Sequence, residues 1–408
     1  MKYIAIDVGA SLSKTGLLLE NWEEKLRDYS NKIWAHDGEA RPEDYDLNFS
    51  RPENTLDLSI SFDAITPDTP FSTEVKAIVD SISTNRWILG NLAEDMSSTH
   101  QSLASDTLKV LQEEFYLNIF GVLYSYITEY KLTSDDVTVG VLVPPRDYFN
   151  ERKDILYAIL TNTITIKNNI TGDKVVLNLS KDQIVVKPES VVSFIACFVD
   201  DNNELTKAGE DYGDKLNVSI DMGHSTTDLA MMDDFLPQKF SFKTLDVATK
   251  QLLDYLSSEL QRKFAGYIPA EKELVKAFAT GNLTMGAKKV WVGEELNAAN
   301  KKFALDLYKA VFAYLRALGY NNQQVASYMF SGGGSAELKN VKSVRTYFAE
   351  EVHKVSEFTE TFTPREYLSV ENHVDYANNP EALAPERYAN ILGFLRGLRD
   401  LKTKNENK

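Results

Sequence analysis

At 408 residues the chain is too long for one ordinary domain and suits two of roughly 150–200 residues. Apolar residues make up 43%, with 20 Tyr and 20 Phe, which is ample for two cores. The formal charge of −16 argues against a broad nucleic-acid-binding surface, because phosphates would be repelled. The single cysteine, Cys197, excludes an internal disulfide framework or a Cys-based metal site and fits a reducing cytoplasm. It lies in the apolar run Val191–Val199 and reads as a buried structural thiol.

In chain order, Met1-Lys2-Tyr3-Ile4-Ala5-Ile6 is apolar too briefly for a secretory signal before Asp7 interrupts it. Nothing approaches the ~18 consecutive apolar residues that span a bilayer. Tyr3–Asp7 and Thr15–Glu20 predict two strands joined by a polar turn. Residues 36–75, punctuated by Pro42, Pro52, Pro67 and Pro70, read as a peripheral subdomain of irregular loops rather than a core layer. Leu103 to Tyr130 carries apolar residues at helical spacing. Val137–Val143 is a β-branched run of buried-strand type, stopped by Pro144-Pro145. Val175–Leu179 and Ile184–Val186 suggest a further pair of strands.

The pattern then restarts. Asn217–Asp221 and Asp228–Met232 predict two more strands around a polar turn, and helices are expected at 246–264, 271–279 and 299–318, the last capped by Gly319. Pro385 begins a final helix with Tyr388, Ile391, Leu392 and Leu395 on one face, followed by a polar, frayed tail from Lys402. Strands alternating with helices indicate α/β layers.

Self-similarity is the most informative signal. Ile6-Asp7-Val8-Gly9-Ala10-Ser11 reappears as Ile220-Asp221-Met222-Gly223-His224-Ser225, each copy flanked by an apolar strand on either side. Glycine lets backbone approach a phosphate closely, and successive N–H groups in a tight turn form an anion-binding nest to which hydroxyls add donors. An Asp at the strand end is repelled by phosphate but can hold Mg²⁺ through that ion's own waters. Two such turns would clamp one polyphosphate, and neither is a Walker A sequence. A third element, Tyr328-Met329-Phe330-Ser331-Gly332-Gly333-Gly334-Ser335, is an apolar strand running into three glycines, with Ala336-Glu337-Leu338 expected to open a helix. Such a loop lets backbone lie flat against a nucleotide; alone it is equally a flexible turn.

Together these elements resemble the actin, heat-shock chaperone and sugar-kinase superfamily, and within it the ParM-type plasmid-segregation actins. The first phosphate loop is similar to that family's Asp-x-Gly-x-x-x-x-Lys at Asp7, Gly9 and Lys14. The second resembles Asp-Leu-Gly-Gly-Thr-Thr-x-Asp at Asp221, Gly223, Ser225, Thr226 and Asp228, with His224 in place of a glycine. Leu142–Phe149, Lys187-Pro188-Glu189-Ser190 and Trp87–Ala93 resemble further family segments, and Ser331–Leu338 resembles the adenosine loop with Ser335 as an additional residue.

The resemblance implies an α/β, actin-like (ribonuclease H-like) duplicated fold with a nucleotide cleft between its halves. Domain I would cover 1–199, with a peripheral subdomain at about 30–97; domain II would cover 200–380; and residues 381–408 would form a helix returning to domain I and a polar tail. It also implies ATP, or GTP, with Mg²⁺ as ligands. Gly9, Ala10, Ser11, Lys14, Gly223, His224, Ser225 and Thr226 would bind phosphate. Gly332, Gly333 and Gly334 would face the adenosine, and Asp7 and Asp221 would hold the metal through water. Asp147 aligns with the carboxylate that positions the attacking water, though a turn Asp bonding nearby backbone reads the same way. Lys14 is alternatively a solvated lysine. His224 either alters nucleotide release or points away. Glu271, Lys272 and Glu273 lie on a helix where relatives contact ribose or base, or form a solvated face.

The expected function is a cytoplasmic, polymerising ATPase that assembles head to tail, with heterologous contacts that do not close and so make filaments. Plasmid segregation through a centromere-binding adaptor is implied, with DNA contacted only indirectly and no membrane partner. A non-polymerising kinase and a chaperone-like ATPase of the same fold are the alternatives.

Overall fold

The computed structural model describes residues 2–9, 12–19, 24–30, 33–36, 55–63, 71–90, 93, 108–149, 152–200, 202, 204–238, 240–367 and 385–406. These form two compact units, one built on the chain up to Glu189 and on the chain end from Gly397, the other on Ser190 onward to Arg396.

The first unit opens with β1 (Lys2–Val8), β2 (Leu12–Leu18) and β3 (Glu24–Ser30), an antiparallel meander. There follow β4 (Ile33–His36), β5 (Thr55–Phe62), α1 (Ser72–Thr84), β6 (Arg86–Gly90) and α2 (Glu113–Tyr130). The unit then runs through β7 (Val137–Val143), α3 (Pro145–Phe149), α4 (Lys153–Leu160), β8 (Thr163–Asn168), β9 (Lys174–Asn178) and β10 (Ile184–Pro188). One sheet has the order β10-β7-β1-β2-β3, with β7 parallel to both β1 and β10. Every residue of β7 is buried, which is why it reads as a continuous apolar run rather than an alternation. Helix α2 is buried along almost its whole circumference and ends where Lys131 turns left-handed at φ 50°.

The second sheet of this unit, β4-β6-β5-β8-β9, corrects one expectation. Thr55–Phe62 lies within the stretch read as irregular, yet β5 is the central strand, antiparallel to β6 and β8. Its alternating Leu56, Leu58 and Ile60 pattern was masked by the prolines on either side. Asp57 and Arg86 form an ion pair across β5 and β6, with Asn169 donating to the same carboxylate at 2.9 Å. The two strands expected as a pair, near 175–179 and 184–186, both exist but in different sheets: β9 pairs with β8, β10 with β7.

The second unit contains α5 (Val192–Phe198), α6 (Lys207–Tyr212), β11 (Asn217–Met222), β12 (Thr227–Asp233), β13 (Leu236–Pro237) and β14 (Lys243–Leu245). Helices α7 (Thr249–Lys263) and α8 (Glu271–Thr280) lead to the hairpin β15 (Asn282–Met285) and β16 (Lys288–Trp291), then the long α9 (Gly293–Ala317). It closes with β17 (Ser327–Ser331), α10 (Val344–His353), β18 (Glu360–Phe362) and α11 (Pro385–Glu406) as far as Arg396. The sheet order is β13-β12-β11-β17-β18, with β14 also on β12. The topology of the first unit's main sheet therefore repeats: an antiparallel hairpin, β11–β12, extended on the β11 side by parallel β17 and β18. The duplication visible in the sequence is a duplication of topology.

Several expectations shift here. The units divide at Glu189–Ser190 rather than after residue 199, because α5 packs within the second unit. A Cβ at Gly393 of α11 would stand 1.7 Å from Val192 O, so the backbones of α11 and α5 meet where only glycine fits. Arg396 donates to the carbonyls of Ala196 and Val199, satisfying the end of α5. Tyr388, Ile391, Leu392 and Leu395 are buried in this unit, and α11 continues through Lys402 to Glu406. Ala336-Glu337-Leu338 opens no helix. The chain turns through Asn340 at φ 67°, Glu337 accepts from Ser343 and Arg345, and Ser343 caps α10 instead. Cys197 is buried, as its apolar run implied. Among the described residues no helix is long and apolar enough to cross a membrane.

Candidate functional site

In the first unit, β1 delivers Asp7 to the end of the hairpin, directly across from Lys14 in the strand register. Asp7 is only 2% exposed, and Lys14 Nζ stands 2.9 Å from its Oδ2. The residue expected to bind phosphate and the one expected to hold metal are thus an ion pair. Gly9 follows β1; Ala10 and Ser11 lie outside the described residues.

Strand β7, beside β1, ends at Val143, and Pro144-Pro145 turns the chain into the short α3. Asp147 sits there fully buried, its N–H donating to Pro144 O at 2.9 Å. Its Oδ2 accepts from the Val110 N–H at 3.3 Å, while Oδ1 has no hydrogen-bond partner among the described residues and lies 3.7 Å from Arg146 Nε. Burial pushes this carboxyl above its ordinary value; the positive charges of Lys109 and Arg146 and the backbone N–H oppose that shift without cancelling it. Both backbone groups of Val110 are engaged, since Tyr116 donates its hydroxyl to Val110 O at 2.8 Å. Lys109, in the turn before α2, pairs with Glu189 at 2.7 Å. Sequence reasoning assigned Lys109 nothing, and its position 80 residues from its partner carries no local signal.

The second unit presents the clearer geometry. The turn between β11 and β12 is closed by Gly223 N–H donating to Thr226 O at 2.9 Å. The first N–H groups of α7 donate back to it, Thr249 to Gly223 O at 3.1 Å and Lys250 to His224 O at 2.9 Å. The carbonyls of Gly223, His224 and Thr226 are thereby occupied, and no described residue accepts from the N–H groups of His224, Ser225 and Thr226. Three successive uncommitted donors in a fixed turn are the chemistry of an anion nest. The His224 side chain leaves this turn toward α8, where Nε2 stands 3.2 Å from Glu271 Oε1.

Asp221, 8% exposed, is the penultimate residue of β11, beside the glycine loop. Its Oδ2 accepts from Asn390 Nδ2 at 2.8 Å, a contact between β11 and α11. Gly332 has φ 83°, and a Cβ there would lie 2.5 Å from Asp221 Oδ1 and 2.6 Å from Met222 O. Gly334 is equally confined, its would-be Cβ 2.2 Å from Thr249 Oγ1, whereas Gly333 faces open space. The loop therefore lies flat against the end of β11 with its middle residue exposed. Ser331 Oγ, Thr227 Oγ1, Thr249 Oγ1 and Asn390 Oδ1 are buried here without a hydrogen-bond partner among the described residues. Unsatisfied buried polar atoms at this density fit a site completed by ligand or water. Among the described residues no three His, Cys, Asp or Glu converge to hold a metal. Asp7 at the first turn, and Asp221 across from Asp228 at the second, suit Mg²⁺ bound through its waters, not an all-protein cage.

A family model described as the C-terminal part of archaeal MreB-like actin homologues matches residues 219–343, from β11 through the glycine loop to the cap of α10. The fold is similar to that of an archaeal actin homologue at TM-score 0.62 and 14% identity, covering 98% of this chain and 99% of that one. The chain has the actin-like fold. This actin-like chain is also similar to the subunit of a 15-stranded ParM filament from Clostridium botulinum, at TM-score 0.61 and 14% identity, covering 98% and 99% of the two chains. A third similar structure is Bacillus thuringiensis ParM with AMPPNP, at TM-score 0.59 and 14% identity over 97% and 98%. No curated protein matches the sequence. The duplicated α/β architecture expected from the paired turns is the actin-like one.

Proposed function

We propose that this actin-like chain is a Mg²⁺-dependent ATPase that assembles into filaments when nucleotide is bound. The observation that carries the nucleotide reading is the β11–β12 turn, where three successive N–H groups lack an acceptor among the described residues beside nearly buried Asp221. Gly223, His224, Ser225 and Thr226 would hold phosphate, Gly332–Gly334 the adenosine, and Asp221 the metal through water. Gly9, Ala10, Ser11 and the Asp7–Lys14 pair would supply the corresponding contacts from the other copy of the motif. Bound Mg²⁺ supplies positive charge against the phosphates. Asp147, with one oxygen free of hydrogen bonds among the described residues, would orient the attacking water.

Assembly is supported by the fold shared with the subunit of a 15-stranded ParM filament, and nucleotide binding by the fold shared with a ParM solved with AMPPNP. We extend this to plasmid segregation in the cytoplasm through a DNA-binding adaptor, for which the formal charge of −16 favours indirect contact with DNA. Light scattering at micromolar protein on adding ATP and Mg²⁺, followed by electron microscopy, tests the assembly reading. Filaments that require ATP support it. Flat scattering over a wide protein and salt range alongside measurable ATP turnover would replace it with a non-polymerising kinase or chaperone-like ATPase.

A further inference from the structure

His224 occupies the position where the phosphate-turn pattern carries a glycine, and its side chain has a defined partner. Its backbone carbonyl accepts from Lys250 at the start of α7, and its Nε2 lies 3.2 Å from Glu271 Oε1 at the start of α8. One residue of the turn is thus gripped by two different helices. The turn's other side-chain positions, Ser225 and Thr226, make no comparable link among the described residues.

The α8 end of the contact is anchored independently. Glu273 accepts from the Ala270 N–H at 2.9 Å and from the Tyr267 hydroxyl at 3.0 Å, capping the helix and holding the preceding chain to it. Leu274 and Ala277 anchor α8 in the second core. Glu271 therefore projects from a fixed helix end toward a turn whose backbone donors are uncommitted. A glycine at 224 would leave that turn tied to α7 alone.

We infer that His224 is a positioning residue that ties the phosphate turn to α8 through Glu271 and thereby slows nucleotide release. The inference rests on the nucleotide reading of the same turn. The physical basis is simple: a turn tethered at both its backbone and its side chain loses less order when a ligand leaves or arrives, so the donor array stays preorganised. The pair is partly solvated, with Glu271 63% exposed, so its effect on release is modest.

Dissociation of a fluorescent N-methylanthraniloyl ADP in the presence of Mg²⁺, followed by stopped flow on the full chain, tests the tether. Glu271→Ala and His224→Gly are each expected to release the nucleotide roughly threefold to fivefold faster, as befits a partly exposed side-chain contact. The double variant is expected to match either single one, since both remove the same contact. Glu271→Gln, which keeps an oxygen to accept an Nε2–H, should release at close to the wild-type rate, a rescue that a purely structural role of Glu271 would not require. Additive effects in the double variant, or an unchanged rate in Glu271→Ala while the wild type binds ADP, would overturn the tether. Failure of the wild-type chain to bind ADP at all would overturn the nucleotide reading first and the tether with it.

Discussion

Asn390 donates to Asp221 across 2.8 Å, joining a side chain of the last helix to the carboxylate at the end of β11. Both residues are buried, and Asn390 uses its amide nitrogen here while its oxygen has no hydrogen-bond partner among the described residues. The last helix of the described chain therefore helps to hold the proposed metal-binding carboxylate. Replacing Asn390 by Ala should cost about 1–3 kcal/mol of stability, the usual loss for a buried bond to a charged group. Denaturant melts without nucleotide measure that loss. Titration with ADP and Mg²⁺ should show weaker binding than in the wild type, and equal affinity would argue that Asp221 needs no such support.

Asp221→Ala removes the carboxylate itself. It should weaken Mg²⁺-nucleotide affinity by an order of magnitude or so, in line with the loss of a water-mediated ligand. Assembly should then require correspondingly more nucleotide. A variant that assembles at wild-type nucleotide concentrations would count against any metal role.

Gly332 combines φ 83° with a would-be Cβ only 2.5 Å from Asp221 Oδ1. Gly332→Ala should therefore destabilise the second unit by at least about 1 kcal/mol through backbone strain alone. The extra methyl also presses on the Asp221 carboxylate, so nucleotide affinity should fall with stability. Gly333, open to solvent, is the internal control: Gly333→Ala should leave the melting transition near that of the wild type.

Asp147 carries a pH signature. Burial raises its pKa, so the folded chain holds this proton more tightly than the unfolded chain does. Its contribution to stability is fully present below the ordinary carboxylate value of 3.8 and is lost as pH rises through the raised folded value. At neutral pH the buried, half-paired carboxylate is a net cost. Asp147→Asn should therefore be as stable as the wild type or more so at pH 7, with the advantage shrinking as pH falls through that window. In the same variant ATP turnover should fall by roughly 10²–10⁴-fold, the range for a lost acid–base group, with nucleotide binding retained. Unchanged hydrolysis would leave Asp147 as a structural turn residue.

Lys14 faces Asp7 within one hairpin, and the pair is largely buried. Lys14→Met should lower stability by about 3 kcal/mol or somewhat less, because it removes a main counter-charge of a buried carboxylate. Thermal melts at low and high salt check this, and the loss should persist at high salt because buried pairs are poorly screened.

What was legible in the sequence was local. β-branched runs marked β1, β7 and β11, Pro144-Pro145 marked the end of β7, and the repeated Asp-x-Gly turns revealed a duplicated sheet, because strand pattern and turn chemistry act over a few residues. The Asp7–Lys14 pair was within reach of the same reasoning, since a hairpin register follows from its turn. Prolines flanking β5 hid a central strand, because what makes it central is pairing with β6 and β8, the latter a hundred residues on. Tertiary structure alone decided that Asn390 helps to hold Asp221, that Glu271 meets His224 and that Asp147 is buried against Val110. Each of those depends on packing between elements distant in the chain. Such packing is selected by the summed burial of two cores, and no single residue's neighbours in sequence encode it.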